Sequence, residues 1–378
     1  MKKGRSNNGK VAASSNTKTK PSKERPMKPP KYIGMDVHKA TTVVAVLNSV
    51  GKVVEEAIIE TNGSRILDFL TSQRGTLHVA FEEGTQAAWL YDLIHPRVAS
   101  VIVCDPRKIS RQGNKADRVD ARLLAELLRT GGLKPIYHGE KSTRAVKELA
   151  LSYIAMVADG TRIKNRLKAI FRGRGIACNG AGVYSPDERK DWLAKLDNAA
   201  VRARAATQWE ELDLVERLKE EVAEDLVAEA RKHADTRILK TVPGFGPIRA
   251  AVTLGVAGTP HRFRTRKQFW GYCGLAVVTS TSGEYEIVDG RVYKTKKRPL
   301  VRGLNYNYNR AMKAVFKGAA KTVTDGVWKS RFEAMTAEGV TESLARLTLA
   351  RKIASIALAV WKKGERYDPK RMKSLHAA

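Results

Sequence analysis

The stretch Lys31-Tyr-Ile-Gly-Met-Asp36-Val-His38 decides the fold of the first half of this chain. Its Tyr, Ile and Val side chains favour a β-strand, and strand alternation places Asp36 on the opposite face from Met35 and Val37. A carboxylate in an apolar strand either faces solvent at the strand end or belongs to a site, because charged groups are rarely buried unpaired. Acids elsewhere in the sequence favour a site.

Two further elements carry such acids. The strand-like run 77–81 ends in Glu82 and Glu83, and a helical segment carries Asp117 and Asp120. Residues at this spacing in a helix lie on one face, so the carboxylates of Asp117 and Asp120 point the same way. Converging carboxylates repel one another unless a cation lies between them, and Mg²⁺ is the usual cation. The sequence therefore predicts a magnesium site.

The acids of the helical segment also have structural explanations. Asp117 can interact favourably with the N-terminus of its own helix. Asp120 can form an ion pair with Arg118 or Arg122. Both explanations stay open, but they are weaker once the acids of the two strands are considered as well.

The charge balance points to a polyanionic partner. The chain has 378 residues, with 69 Lys and Arg against 39 Asp and Glu, which is a formal net charge of +30. Residues 1–31 contain ten of the basic residues and one acid, so 59 basic and 38 acidic residues leave +21 on the remainder. The excess is not confined to a tail, and nucleic acid is the first partner it suggests. A solubilising surface is the alternative.

Several other classes are disfavoured. The three cysteines, Cys104, Cys178 and Cys273, lack the spacing of a zinc site or a disulfide framework, which fits a reducing cytoplasm. No uninterrupted apolar run approaches the roughly 18 residues of a membrane span. Residues 1–31 have no apolar segment typical of a secretory signal and resemble a disordered basic arm. We expect a cytoplasmic protein.

Strands and helices alternate in the predicted first domain. Strands are predicted at 32–37, 41–47, 53–60, 77–81 and 98–104. Helices are predicted at 64–73, 84–94 and 114–130. Short turns join the first three strands into an antiparallel meander, so the order predicts a mixed α/β sheet covered by helices.

Three segments resemble a known family. DVHK at 36–39, FEEGTQAAWLYDL at 81–93 and NKADRVDARLLAELL at 114–128 are similar to the DEDD domain of the Piv/MooV-type transposases, insertion-sequence family 110. The resemblance implies an RNase H-like (RuvC-like) fold for residues 32–177. It also implies that the four acids of the family, which hold Mg²⁺, correspond to Asp36, Glu82, Asp117 and Asp120. Glu83 remains the alternative to Glu82, since strand alternation sends the two to opposite faces.

The middle of the chain is predicted to be helical. A long helix at 141–172, interrupted near Asp159 and Gly160, ends in a basic stretch without acids. Unpaired cations there would repel one another, so we interpret them as a phosphate-binding surface rather than a solvated face. The predicted binding residues are Arg162, Lys164, Arg166, Lys168 and Arg172. Apolar residues recur every three or four positions over 209–234, which predicts a coiled coil or helical hairpin in a linker at 178–238.

A second, mostly α-helical domain is predicted at 239–378, with final helices at 304–322 and 341–361. Its PGFGP segment at 243–247 resembles a helix-hairpin-helix turn, in which Gly244 and Gly246 let backbone N–H groups face a phosphate. The segments that follow are similar to the transposase domain of the same family, which implies a nucleophilic serine at Ser282. Ser280 stays open as the alternative, because serine–glycine pairs are common in turns. The cations predicted to surround the phosphodiester are Lys294, Lys296, Lys297, Arg298 and Arg302.

Together with these features, the resemblance implies a site-specific DNA recombinase of an insertion sequence. It also implies a bacterial protein associated with the nucleoid. The hypothesis includes a covalent 5′-phosphoserine intermediate, and the resemblance implies a bridge RNA that pairs with donor and target DNA. Paired DNA sites imply a homodimer, and a tetramer on synapsed DNA. Two alternatives remain: a RuvC-like junction endonuclease that uses metal-activated water, and a non-catalytic nucleic-acid-binding scaffold.

Overall fold

The computed structural model describes residues 29–109, 116–138, 141–280, 285–294, 300–323 and 326–369. They form two compact units that divide after His138. Most of the basic arm predicted at 1–31 lies outside the described residues, and the first strand already begins at Pro30. None of the helices within these ranges is long and apolar enough to cross a membrane.

A five-stranded mixed sheet organises the first unit. Its strands are β1 (Pro30–Val37), β2 (Thr41–Leu47), β3 (Val53–Glu60), β4 (Thr76–Glu82) and β5 (Ser100–Cys104). The order across the sheet is β3-β2-β1-β4-β5. Strands β1, β2 and β3 pair antiparallel, whereas β4 pairs parallel with both β1 and β5. The predicted meander and mixed sheet are confirmed, and the arrangement is consistent with an RNase H-like fold.

Helices cover both faces of this sheet. They are α1 (Gly63–Ser72), α2 (Ala87–Ile94) and α3 (Asp117–Arg129). Odd-numbered positions of β1 and β4, such as Met35 and Phe81, pack with side chains of α1 and α2. Even-numbered positions, such as Tyr32 and Ala80, pack with side chains of α3. Alternation therefore assigns the even-numbered Asp36 and Glu82 to the α3 side.

Helix α3 lies close to β1 because Gly34 has no side chain. A Cβ built on Gly34 would be 2.1 Å from the carbonyl oxygen of Ala121 and 2.6 Å from the backbone nitrogen of Ala125. Ala121 and Ala125 are themselves small and fully buried. Small residues on both elements thus bring the helix backbone onto the strand, which fixes the first turn of α3 relative to the end of β1.

The second unit is mostly helical. Its helices are α4 (Arg144–Arg172), α5 (Arg189–Ala194), α6 (Ala199–Arg231), α7 (Ala234–Leu239), α8 (Pro247–Ala257), α9 (Arg266–Tyr272), α10 (Arg310–Thr322), α11 (Gly326–Ala337) and α12 (Glu342–Lys363). Its strands are β6 (Val277–Ser280), β7 (Tyr285–Val288), β8 (Arg291–Lys294) and β9 (Leu300–Leu304). β6 pairs with β9, and β7 pairs with β8, both antiparallel.

Several predicted element bounds in this unit are wrong. Helix α4 continues without a break through Asp159 and Gly160, because Gly160 is buried where α4 packs along α6, beside Val215. The predicted helix at 304–322 begins only at Arg310, after Asn309 caps it, and residues 300–304 form β9 instead. Helix α11 was not predicted.

The domain boundary predicted at 177/178 stays a prediction; by their contacts, the two compact units divide earlier, after His138. The buried Val146 and Ala150 of α4 belong to the same core as Leu226 of α6 and Leu254 of α8. Helix α4 therefore packs with the second unit, although the sequence prediction grouped it with the sheet.

Candidate active site

The candidate site lies at the carboxyl ends of β1 and β4. These strands pair in parallel with Met35 opposite Phe81, so the next position along each strand carries Asp36 and Glu82. Side chains at matching positions of a parallel pair point to the same face. The backbone thus sends both carboxylates to the face covered by α3.

The first turn of α3 supplies the other two predicted acids. Asp117 is the first helical residue, and the backbone N–H of Asp120 donates to the carbonyl of Ala116 at 3.0 Å. The Asp117 side chain is 53% exposed, whereas Asp120 is only 6% exposed. Negative charge in this turn is favourable beside the N-terminal partial charge of the helix. Asp117 can therefore interact favourably with the N-terminus of its helix and still belong to the candidate site.

Asp36, His38 and Asp117 form a group that can hold a metal ion. The Nε2 atom of His38 is 3.3 Å from Oδ2 of Asp36 and 3.3 Å from Oδ2 of Asp117. One ligand atom from each residue lies within 4.8 Å of the others. His38 is not among the site residues predicted from the sequence, although its position two residues after Asp36 on an extended segment was a usable signal.

The donor set of this group fits a divalent cation. Carboxylate oxygens are the protein ligands that Mg²⁺ prefers, and imidazole is a common ligand of transition metals. The Asp36 side chain is 17% exposed and that of His38 is 46% exposed, so the group is accessible from solvent. A metal ion held by these residues would therefore remain accessible to a substrate.

Glu83 points to the other face of the sheet. Its Oε2 atom is 2.9 Å from Nε2 of His138. The His138 ring stacks on Tyr91 of α2, with ring centroids 5.0 Å apart. Since α2 covers the face opposite α3, the geometry favours Glu82 over Glu83 as a neighbour of Asp36.

Another acid near this edge, Asp105, has a structural role. Asp105 follows β5 directly. Its carboxylate accepts hydrogen bonds from Nε and Nη2 of the Arg107 side chain, each at 2.9 Å, and a third from the Arg107 backbone N–H. The hydrogen bond from the Arg107 guanidinium lowers the pKa of Asp105, against the effect of burial. Asp105 thus caps the turn that follows β5.

Arg122, one of the predicted partners of Asp120, binds Glu56 on β3. Both guanidinium nitrogens Nε and Nη2 donate to the Glu56 carboxylate, the latter at 2.6 Å. This hydrogen bonding lowers the pKa of Glu56. The ion pair joins α3 to the edge of the sheet.

The predicted serine lies outside the described residues, together with Lys296, Lys297 and Arg298. This serine is Ser282, which follows β6. Ser280 ends β6 and is paired with Leu300 of β9, and its side chain is not described. The side chains of Lys294 and Arg302, on β8 and β9, are not described either. The assignment of the serine and its cations stays a prediction.

The cations of α4 have intramolecular partners, so the premise that they are unpaired is wrong. Nζ of Lys164 is 2.6 Å from Oε1 of Glu216, and Nη2 of Arg166 is 2.5 Å from Oε1 of Glu211. The remaining partners are Asp159 for Arg162, the Gly180 carbonyl for Lys168 and the Cys178 carbonyl for Arg172. Both glutamates lie on α6, so the positive charges of these two α4 side chains are paired with negative charges on the neighbouring helix. Nucleic-acid binding by these side chains stays a prediction.

The PGFGP segment forms a tight turn between α7 and α8. Gly244 has φ +74°, and a Cβ on it would be 2.6 Å from the carbonyl oxygen of Ala319 on α10. The Gly244 carbonyl accepts a hydrogen bond from Nη1 of Arg249 at 2.6 Å. Gly246 caps α8, and within the described ranges no atom comes within 4 Å of a Cβ placed there. Gly244 is thus required for packing, while Gly246 leaves the start of α8 open.

Comparison with known proteins defines the class. Residues 33–174 match a family model described as a transposase, of the DEDD type found with insertion sequence IS110, and residues 236–323 match the transposase IS116/IS110/IS902 family. Both models describe transposases, and between them they match segments of both units of the chain. The chain belongs to the IS110 family of transposases.

Two relatives support this membership. A Leptospira borgpetersenii transposase for insertion sequence element IS1533 is 28% identical over 216 residues, which is 52% of this chain and 62% of the relative. The chain thus covers less than two thirds of that relative. A candidate transposase of Sinorhizobium fredii, y4qE, is 22% identical over 355 residues, which is 87% of this chain and 88% of the relative.

Proposed function

We propose that this protein is a site-specific recombinase that cuts and rejoins DNA for an insertion sequence. The observation that carries the proposal is the approach of α3 to β1, which places Asp117 beside Asp36 and His38. Glu82 is directed to the same face by the strand register. Acids of β1 and α3 that meet at one sheet edge, in a chain of net charge +30, suit the handling of a polyanion with a metal.

In this proposal Asp36, Glu82, Asp117 and Asp120 hold Mg²⁺. When bound, the ion supplies Lewis acidity to the scissile phosphate and to the leaving oxygen. Asp120 is buried, whereas Asp117 is exposed to the solvent from which DNA would approach. The Nε2 atom of His38 can donate a hydrogen bond to either Asp36 or Asp117, which orients that carboxylate.

The proposed nucleophile is Ser282. Its hydroxyl oxygen attacks phosphorus and gives up its proton, the bond from phosphorus to the DNA 3′ oxygen breaks, and that oxygen takes up a proton to become a free hydroxyl. A new DNA hydroxyl later attacks the phosphorus of this 5′-phosphoserine and loses its proton, the bond from phosphorus to the serine oxygen breaks, and the serine oxygen is protonated again. The number of phosphoester bonds is unchanged, so rejoining needs no ATP.

Replacement of the two candidate serines tests this mechanism. Ser282→Ala should abolish the covalent protein–DNA adduct, because the attacking oxygen is lost, whereas Ser280→Ala should keep it within about threefold of wild type. The adduct can be trapped by denaturing the protein during cleavage of labelled DNA. Full cleavage by both variants would instead support hydrolysis by water, the reaction of a junction endonuclease.

The adjacent glutamates provide a second test. Glu82→Gln should slow Mg²⁺-dependent strand cleavage by about 100-fold or more, because a negative charge is lost from the α3 side of the sheet. Glu83→Gln makes the same chemical change on the α2 side, so cleavage should stay within about threefold of wild type. A slow Glu83→Gln variant and a fast Glu82→Gln variant would reverse the assignment.

The proposed partners are donor and target DNA, a bridge RNA and further copies of this chain. A homodimer, and a tetramer on synapsed DNA, follow from the need to hold paired sites. Sequencing the nucleic acid that co-purifies with the protein tests the RNA partner. One discrete structured RNA supports guided recombination, whereas random fragments contradict it.

A further inference from the structure

A cleft of about 840 Å³ opens in the second unit, between α9, α11 and α12. Seven of its lining side chains are basic and two are acidic. The basic ones include Arg266 on α9, Arg331 on α11, Lys352 on α12 and Arg366 after α12. A cleft of this size, within the range of ligand sites, thus carries a strong excess of positive charge.

The cations of this cleft are crowded together and partly removed from water. Burial lowers the pKa of Lys352, and so do the positive charges of Arg331 and Arg266. Burial also lowers the pKa of the neighbouring Arg351, whose Nε donates to the Leu275 carbonyl at 2.6 Å. Holding like charges together costs free energy, and a bound polyanion removes that cost.

Apolar side chains and an aromatic ring also line the cleft, and these residues are called its floor here: Trp270, Ile356, Leu358, Ala359 and Val360. The indole N–H of Trp270 donates to the Arg351 carbonyl and to Oγ of Ser355, both at 3.1 Å, which fixes the ring. The guanidinium of Arg266 lies over this ring, 5.9 Å from its centroid. This floor, together with the basic side chains that form the rim, matches the two parts of an unpaired nucleotide, the flat base and the phosphate.

We propose that this cleft binds a single-stranded segment of nucleic acid, with a base against Trp270 and the phosphates on the basic rim. Bases within a duplex keep their faces stacked on their neighbours, so only unpaired nucleotides present a free face to the floor. The inference rests on the proposed function only in that the chain handles nucleic acid. The cleft lies in the second unit, whereas the acidic group lies in the first.

Fluorescence anisotropy with the full-length protein tests the proposal. The probes are labelled single strands of about 12 nucleotides, as RNA and as DNA, and a duplex of the same sequence. The cleft variant is Lys352→Gln with Arg366→Gln. The matched control is Lys317→Gln with Lys321→Gln, two exposed lysines of α10 that do not line the cleft.

The cleft variant should weaken single-strand binding by about tenfold and reduce the slope of log affinity against log salt by about 1.4, the value for two lost phosphate contacts. The control variant, and the duplex with either variant, should change by less than about twofold. Trp270→Leu should weaken single-strand binding by about tenfold with an unchanged salt slope, because stacking and not charge is lost. Equal effects of both double variants, or equal losses with single strand and duplex, would overturn the proposal.

Thermal unfolding of each variant separates a folding defect from a binding defect. Asp36→Asn should bind the single strands as wild type does, since its site lies in the other unit. Binding needs no DNA cleavage, so the cleft can be confirmed even if the chain never cuts DNA. Conversely, the wild-type protein could cut DNA normally while the cleft variants bind single strands as tightly as wild type does. That result would contradict the proposed role of the cleft but not the proposed recombinase function.

Discussion

Asp36→Asn should lower the rate of Mg²⁺-dependent DNA cleavage by about 1,000-fold or more, the scale expected for loss of an essential group. Asn keeps the size of the side chain but removes the negative charge beside His38 and Asp117, with which Asp36 forms the candidate metal group. DNA binding should change little, because the cationic surface is untouched. Cleavage of a plasmid that carries the ends of the element, measured in parallel with binding by gel shift, checks both expectations.

The same substitution at the end of a neighbouring strand is the control. Asp105 follows β5, but its carboxylate is hydrogen-bonded to Arg107, so Asp105→Asn should leave cleavage within about threefold of wild type. A metal titration adds a readout that does not depend on activity. Mg²⁺ or Mn²⁺ should raise the unfolding temperature of wild type and of Asp105→Asn but not that of Asp36→Asn. Undiminished cleavage by Asp36→Asn would exclude this site as the catalytic one.

Local periodicity explains why much of the first unit could be predicted. The alternation of β1 and β4 fixed which residues share a face, so the sides on which Asp36 and Glu82 lie followed from counting. The helical spacing of Asp117 and Asp120 placed both in one turn in the same way. These inferences hold because the strand and the helix each impose their own geometry on nearby residues.

Pairing between distant residues could not be predicted by the same means. Arg166 and Glu211 are separated by 45 residues, and Lys164 and Glu216 by 52, so the sequence showed a basic helix without its acidic partner. The role of His38 depends likewise on Asp117, which comes from another element. A single histidine after a strand does not by itself predict a metal site, because its neighbour Asp117 is known only once the position of α3 is known.

The position of α3 depends on Gly34, for which the sequence pattern indicates no special role. Glycine within a strand usually weakens the strand, and no neighbouring residue indicates the helix contact that offsets this loss of stability. That contact is with Ala121, far along the chain. A residue with no side chain thus has a large effect on where two of the four predicted acids lie.

Gly34→Ala should destabilise the protein by about 2–3 kcal/mol or more, at the upper end of overpacking effects, because the new Cβ would meet backbone and not a movable side chain. At 2.1 Å from the Ala121 carbonyl oxygen, the methyl group forces α3 away from β1. Asp117 and Asp120 move with the helix, so the Mg²⁺-dependent rise in unfolding temperature should shrink together with stability. Urea unfolding followed by circular dichroism, with and without Mg²⁺, measures both quantities.

Gly84→Ala is the matched control, since no described atom lies within 4 Å of a Cβ at Gly84, just beyond β4. Its unfolding midpoint and its response to Mg²⁺ should equal those of wild type, because an alanine there meets no neighbour. A loss of stability shared by both variants would reflect glycine replacement in general. An unchanged Gly34→Ala variant would contradict the close approach of α3 to β1, and with it the means by which acids from a strand and a helix reach one another.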